Sequence, residues 1–162
     1  MIPLFERQAG VSPPYERQAG AFLVSTDPAK LDRDAIFAFL HGEAYWCRGI
    51  PRDRVERLLD HSLCFGAYAA DGRQAGFARV VTDFGSFAYI ADVFVLAPWR
   101  GQGLSKQLMT AIQAHPDLQG FRRWLLATRD AHTLYAQFGF GPLARPEWSM
   151  ERFDPTVYGT PL

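Results

Sequence analysis

Apolar residues recur at two different spacings along this chain of 162 residues, and each spacing predicts one type of secondary structure. Steps of three and four residues are typical of a helix with one buried face. They predict helices over residues 31–40, 52–59, 104–115 and 131–138. Alternating or nearly continuous apolar runs between turn residues predict strands, which we place at residues 22–25, 62–70, 74–82, 87–96, 121–127 and 147–153.

The order of these elements, β-α-α-β-β-β-α-β-α-β, predicts a mixed α/β fold. Asp71-Gly72 is a hairpin signal, and residues 83–86 turn the chain again. Three successive strands joined by such tight turns are typical of an antiparallel meander.

The first twenty residues have a different pattern, because a ten-residue unit is repeated directly. Phe5-Glu-Arg-Gln-Ala-Gly10 returns as Tyr15-Glu-Arg-Gln-Ala-Gly20. We interpret residues 1–20 as an N-terminal extension and residues 21–162 as the domain. The extension is either an extended tail with little secondary structure, or an arm that packs through Phe5 and Tyr15 on the domain or on a second subunit.

Composition narrows the class of protein without identifying it. The chain has 48% hydrophobic and 21% charged residues, zero formal net charge and a pI near 6.9. This balance gives no electrostatic reason to expect nucleic-acid or membrane binding. We expect no metal site, because only two cysteines are present and no histidine cluster lies near them. The sequence shows no signal peptide or apolar run of transmembrane length, so we expect a cytoplasmic protein with reduced thiols.

A glycine-rich turn between a buried strand and a helix is the most informative segment. Arg100-Gly-Gln-Gly103 precedes the helix predicted from residue 104. Such a turn, followed at once by a helix N-terminus, provides an anion site suited to a pyrophosphate. The spacing fits neither a Walker A loop nor a dinucleotide fingerprint, whose third glycine would fall on Lys106. A purely structural turn is the alternative interpretation.

Two motifs resemble signatures of the GNAT family, the Gcn5-related N-acetyltransferases. Arg100-x-x-Gly103-x-Ser105 is similar to the family's coenzyme A loop, Gln/Arg-x-x-Gly-x-Gly/Ala, with serine as the one departure. Ala131-His-Thr-Leu-Tyr-Ala-Gln-Phe-Gly-Phe140 is similar to the second signature, Ala-x-x-x-Tyr-x-x-x-Gly-Phe. From periodicity alone, Leu134 and Tyr135 would be plain core residues. The resemblance covers roughly residues 21 to 153.

The resemblance implies the family fold, a central mixed and mostly antiparallel sheet flanked by helices, with the fourth and fifth strands splayed. It also implies acetyl-CoA as cofactor. Backbone groups near the end of the fourth strand would hold the thioester carbonyl, and the tyrosine of the second motif would be the general acid, a catalytic role for Tyr135. The implied cofactor-binding residues are Phe94, Val95, Arg100, Gly101, Gln102, Gly103, Leu104, Ser105, Thr128, Ala131 and Tyr135.

A general base and an acceptor site are predicted with less guidance from the motifs. Asp92 is a lone acid in an apolar strand near the presumed slot, so it is our candidate catalytic base. The alternative is a structural carboxylate bonded to the backbone or to Arg79. Asp83 and His132 are weaker candidates. The resemblance implies that the first helix–helix loop and the turn between the third and fourth strands frame the acceptor site. For substrate binding we therefore name four residues, although they could equally be hydrophobic contacts: Tyr45, Trp46, Arg79 and Phe84.

The function that these residues predict is transfer of an acetyl group from acetyl-CoA to a primary amine of a small molecule or amino acid. Two alternatives stay open: a protein or peptide N-acetyltransferase, and a catalytically degenerate sensor that binds acyl-CoA. Many members of the family dimerise, so the resemblance also implies a homodimer.

Overall fold

One six-stranded sheet organises residues 13–159, the part of the chain that the computed structural model describes. Its strands are β1 Glu16–Ala19, β2 Phe22–Ser25, β3 Leu63–Tyr68, β4 Gln74–Thr82, β5 Phe87–Val95 and β6 Arg123–Leu126. The helices are α1 Arg33–Gly42, α2 Arg52–Asp60, α3 Leu104–Ala114 and α4 His132–Ala136. None of the helices described there has the length and hydropathy needed to cross a bilayer.

The spatial order of the strands is the same as their order in the sequence. Neighbours from β1 to β5 are antiparallel, and β5 pairs with β6 in parallel. The parallel pair needs a long crossover, which α3 provides. The predicted mixed and mostly antiparallel sheet is therefore confirmed.

Two apolar clusters cover the two faces of the sheet. On one face, α3 buries Leu108, Met109 and Ile112 completely against β2, β3 and β4. On the other face, α1 and α2 enclose a second cluster in which Phe39 stacks on Phe94, with ring centroids 3.9 Å apart. The sheet is thus the middle of three layers.

The second copy of the repeat agrees with the second of the two interpretations, an arm packed on the domain, and not with a tail that has little secondary structure. Residues 16–19 form β1 and pair with β2 along its whole length, and Tyr15 packs against the cluster beneath α3. The backbone N–H of Tyr15 also donates to Thr26 Oγ1 at 2.8 Å. Main-chain pairing explains the strand, because three of its four side chains are exposed. Phe5 and the first copy of the repeat lie outside the described residues.

The strand predicted over residues 147–153 is wrong. A short 3-10 turn, Pro146–Trp148, occupies its beginning, and residues 149–154 form neither helix nor strand. Trp148 and Met150 are 70% and 99% exposed. The apolar residues of this segment therefore pair with no neighbouring strand, and β6 is the last strand of the sheet.

We expect Gly76→Ala to lower the free energy of unfolding by about 1–3 kcal/mol, through overpacking between β4 and α3. A Cβ at Gly76 would lie 3.1 Å from the Phe94 carbonyl oxygen and 3.3 Å from Leu104 Cδ2. The carbonyl belongs to a paired strand and cannot retreat freely. Gly42→Ala is the matched control, since nothing lies within 4 Å of its added Cβ. Urea denaturation that gives both variants the same stability would contradict this packing argument.

Candidate active site

A β-bulge in β5 is the local feature from which the site develops. Phe77 pairs with Phe94 and Arg79 pairs with Ala91, so two residues of β5 lie opposite the single residue Ala78 of β4. The extra residue is Asp92, whose φ is +52°. Aspartate is among the few non-glycine residues that tolerate this left-handed conformation.

The bulge changes which face of the sheet each side chain of β5 meets. Before it, Ile90 contributes to the cluster beneath α3, whereas after it Phe94 contributes to the cluster beneath α1 and α2. Without an extra residue, these two positions would share one face, because strand side chains alternate. The bulge therefore directs the Phe94 ring toward Phe39 of α1.

The strands β5 and β6 separate at the same place. Their pairing ends at Ile90 and Leu126, while β5 continues to Val95. Beyond Ile90, the β5 backbone that faces β6 has no strand partner, so its polar groups border an opening. The splayed pair of strands that the family resemblance implies is present here.

The Asp92 carboxylate is fully engaged by two side chains. Its Oδ2 accepts from Arg79 Nε at 2.7 Å, and its Oδ1 accepts from Trp46 Nε1 at 2.8 Å. The side chains of Arg79 and Asp92 are only 12% and 6% exposed. Arg79 Nη1 also donates to Ser62 Oγ at 3.1 Å. These contacts favour the structural interpretation of Asp92 over that of a free general base.

A cleft of about 480 Å³ lies where β5 and β6 separate. It brings together seven of the residues named from the sequence: Tyr45, Trp46, Arg79, Asp92, Thr128, Ala131 and Tyr135. Phe84 is not among the lining residues. It lies in the β4–β5 turn, where its side chain packs against the cluster beneath α3.

Tyr135 of α4 lines this cleft. It is 9% exposed, and burial raises its pKa to about 12, with smaller contributions from Tyr45 and Asp130. The hydroxyl is therefore protonated at neutral pH and is able to donate. Thr128 Oγ1 accepts from the Ala131 N–H at 3.0 Å, which leaves the Thr128 hydroxyl proton free for a ligand.

The glycine-rich turn has the backbone geometry of an anion site. Gly101 and Gly103 have φ of +76° and +75°, a conformation that glycine adopts without strain. No side chain caps the N-terminus of α3, in contrast to α1, where Asp32 caps with its carboxylate. The first N–H groups of α3 thus have no side-chain cap at the positive end of the helix dipole, an arrangement suited to an anion. Arg100 Nε donates to the Val95 carbonyl at 2.9 Å and ties this turn to β5.

The loop between α1 and α2 reaches across to the segment after β6. Tyr45 Oη accepts from the Arg129 N–H at 3.1 Å, and the Arg129 guanidinium lies 3.8 Å from the Tyr45 ring centroid. Trp46 meets Tyr45 edge to face. One side of the cleft is therefore held by contacts between residues 84 positions apart.

The cysteines do not offer a nucleophile. Cys47 lines the cleft, but burial raises its pKa to about 12, and its thiol lies 3.5 Å from the Leu40 carbonyl as a donor. Burial likewise raises the pKa of Cys64 to about 12. Both thiols are neutral at pH 7 and poorly nucleophilic.

Sequence reasoning missed several residues of this cleft. Tyr89 lies on β5, and the others belong to the segment after β6: Phe153, Asp154, Val157 and Tyr158. Alternation along the strand gives a weak signal for Tyr89. The C-terminal residues carry no local signal, because only the tertiary path of the chain brings them here.

Comparison with known proteins agrees with this geometry. The profile of the Acetyltransferase (GNAT) family matches residues 33–140. A Gibberella zeae protein, provisionally described as an acetyltransferase, is 32% identical, with 78% of this chain and 82% of that protein covered. The chain therefore belongs to the GNAT family of acetyltransferases.

Solved structures support the same assignment. A Xanthomonas campestris protein, also provisionally described as a GNAT acetyltransferase, is 51% identical, with a TM-score of 0.84. The alignment covers 88% of this chain and 100% of that one. A Deinococcus radiodurans structure is 21% identical with a TM-score of 0.63, covering 88% and 92% of the two chains, and shows the shared fold.

We expect Asp92→Asn to lower the free energy of unfolding by about 3 kcal/mol, because it leaves the buried Arg79 without its counter-ion. Asparagine tolerates the same backbone conformation, so the loss of stability is due to removal of the charge. Asp71→Asn is the control, since Asp71 pairs with Arg73 at a position where its side chain is 52% exposed; it should leave the free energy of unfolding nearly unchanged.

A double-mutant cycle completes this test. Arg79→Met combined with Asp92→Asn should cost less than the sum of the two single changes, as measured by denaturant unfolding. Strict additivity would show that the two charges do not stabilise each other.

Proposed function

We propose that this protein is an N-acetyltransferase that transfers the acetyl group of acetyl-CoA to a primary amine of a small molecule or amino acid. One observation carries the proposal: a protonated, buried Tyr135 shares a cleft with the bulged strand, at the point where β5 and β6 separate. The family generally uses acetyl-CoA as donor.

The residues of the glycine-rich turn fit the phosphates of this donor. The N–H groups of Leu104 and Ser105, at the uncapped start of α3, are suited to bind the pyrophosphate. Glycine at positions 101 and 103 keeps Cβ atoms away from it. When bound, acetyl-CoA supplies an activated acetyl thioester. The open edge of β5 near Phe94 and Val95 offers backbone N–H groups to an oxyanion.

Tyr135 is proposed as the general acid. Its hydroxyl, which is protonated at neutral pH, would give its proton to the departing sulfur as the amide forms. Direct attack by the amine is favoured over an acyl-cysteine route, because the thiol of Cys47 is held neutral.

The acceptor must lose a proton before it attacks. For an alkylamine with a pKa near 10.4, reaching the neutral form at pH 7 costs about 4.6 kcal/mol. Asp92 as general base stays a prediction, but with both oxygens engaged it is better suited to position Trp46 and Arg79. Deprotonation in bulk water, or through water in the cleft, accounts for the step without a dedicated carboxylate.

A small acceptor is favoured over a peptide by the size of the cleft, about 480 Å³, and by the Tyr45–Arg129 contact at one side. A sensor without activity would have no need of Tyr135 beside the opening. The cytoplasmic location and the homodimer stay predictions.

We expect Gly103→Glu to abolish acetyl-CoA binding, because a carboxylate at the start of α3 would repel the pyrophosphate. Gly120→Glu is the matched control, since Gly120 has the same φ of +75° and open space around it, but lies before β6. Calorimetric titration with acetyl-CoA, with NADH and ATP as controls, reads out binding. Normal affinity in the Gly103 variant would remove the turn from the donor site.

We expect Tyr135→Phe to lower kcat by at least about 100-fold while the affinity for acetyl-CoA is nearly unchanged. For the native enzyme, kcat/KM should rise with pH as the amine deprotonates and should not fall before pH 10, since the pKa of Tyr135 is about 12. Thiol release with an amine panel measures kcat and kcat/KM, and calorimetric titration measures the affinity for acetyl-CoA.

Tyr68→Phe is the control for loss of a hydroxyl. Within the described residues, the Tyr68 hydroxyl is buried without a hydrogen-bond partner, so its removal should leave turnover intact. Equal turnover in the Tyr135 variant and the native enzyme would exclude Tyr135 as the acid.

A further inference from the structure

The cleft has a wall that lies beyond the family profile. Phe153, Asp154, Val157 and Tyr158 line it together with Tyr135, whereas the profile ends at residue 140. Local contacts hold this segment as a defined turn, because Asp154 Oδ1 accepts from the N–H and hydroxyl of Thr156 at 2.9 and 2.7 Å. Tyr158 anchors the turn by packing against the cluster beneath α1 and α2.

Two apolar side chains of this turn are exposed to solvent. Phe153 and Val157 are 61% and 59% exposed, although both line the cleft. Covering such surface with an apolar ligand group is favourable in proportion to the area removed from water.

The indole N–H of Trp46 and one lone pair of the Tyr45 hydroxyl are already bonded within the protein. Trp46 Nε1 donates to Asp92, and Tyr45 Oη accepts from the Arg129 N–H. The Asp92 charge is balanced by Arg79. Trp46 therefore offers a ligand only ring surface, and Tyr45 offers ring surface and one hydroxyl proton.

Other free polar groups lie elsewhere in the cleft. The hydroxyls of Tyr135 and Thr128 are available near the splayed strands, and the exposed residues Arg48 and Asp130 carry opposite charges. The cleft thus has free hydroxyls at Tyr135 and Thr128, and apolar surface at Phe153 and Val157 of the C-terminal turn and on the aromatic rings of the α1–α2 loop. Asp154, between the two apolar residues of the turn, has one carboxylate oxygen bonded to Thr156.

From this arrangement we infer that the acceptor is a primary amine bearing an aromatic or branched aliphatic group, and that Phe153 and Val157 determine specificity by packing on that group. The inference rests on the proposed acetyl transfer and narrows its acceptor class. The amine nitrogen would lie toward Tyr135, and the apolar group toward the C-terminal turn.

The experiment compares 2-phenylethylamine with ethanolamine as acceptors for the full-length protein, with acetyl-CoA saturating. We expect kcat/KM to be at least about tenfold higher for 2-phenylethylamine. Phe153→Ala should raise KM for 2-phenylethylamine about tenfold, leave kcat within about twofold, and leave KM for ethanolamine nearly unchanged. Val157→Ser should act in the same direction.

Met150→Ala is the matched control, because Met150 is an apolar tail residue with 99% exposure that does not line the cleft. It should behave like the native chain in every assay. Equal use of both amines, or an unchanged KM in Phe153→Ala, would overturn the inference while leaving acetyl transfer established. Binding of acetyl-CoA without turnover of either amine, or of any other amine, would overturn both.

Discussion

The extra residue that β5 carries at Asp92 is the constraint on which the geometry of the site depends. A strand in regular register would keep Ile90 and Phe94 on one face of the sheet. The bulge turns Phe94 to the opposite face, where it stacks on Phe39 and holds α1 over the sheet. It also coincides with the end of the β5–β6 pairing at Ile90. The bulge thus lies where the cleft between β5 and β6 opens, and it also helps to position the α1–α2 loop that lines this cleft.

The bulge is itself stabilised by charge. Asp92 adopts a left-handed conformation that is uncommon for a residue with a side chain, and its carboxylate accepts from Arg79 and Trp46. Burying these two charges has a desolvation cost that only good geometry offsets. The pair links β4, β5 and the α1–α2 loop at one point, so its contribution is better described as specifying the backbone than as adding net stability. A carboxylate used in this way is poorly placed to accept a proton from a substrate.

Most of the fold follows from local patterns, and the exceptions have one physical cause. The buried residues Leu104, Leu108 and Ile112 have helical spacing, and β4 begins and ends where its apolar alternation does. By contrast, β1 is a polar strand held by main-chain pairing, and residues 147–153 have strand-like spacing without a neighbour. The apolar pattern of a single sequence indicates which side chains are buried, but it does not indicate which strands pair with each other. The bulge at Asp92 escapes prediction for the same reason, since register belongs to a pair of strands.

The candidate site likewise has one part that local sequence patterns predict and one part that they do not. The proposed donor side consists of short segments, the turn with Gly103 and the helix with Tyr135, so short motifs are able to predict it. The proposed acceptor side includes Trp46, Arg79, Asp92 and Phe153, which line one cleft but come from four separate parts of the chain. Contacts of that kind leave no motif. Membership of the family therefore specifies the reaction, whereas the acceptor has to be inferred from packing and from polar groups that are already paired.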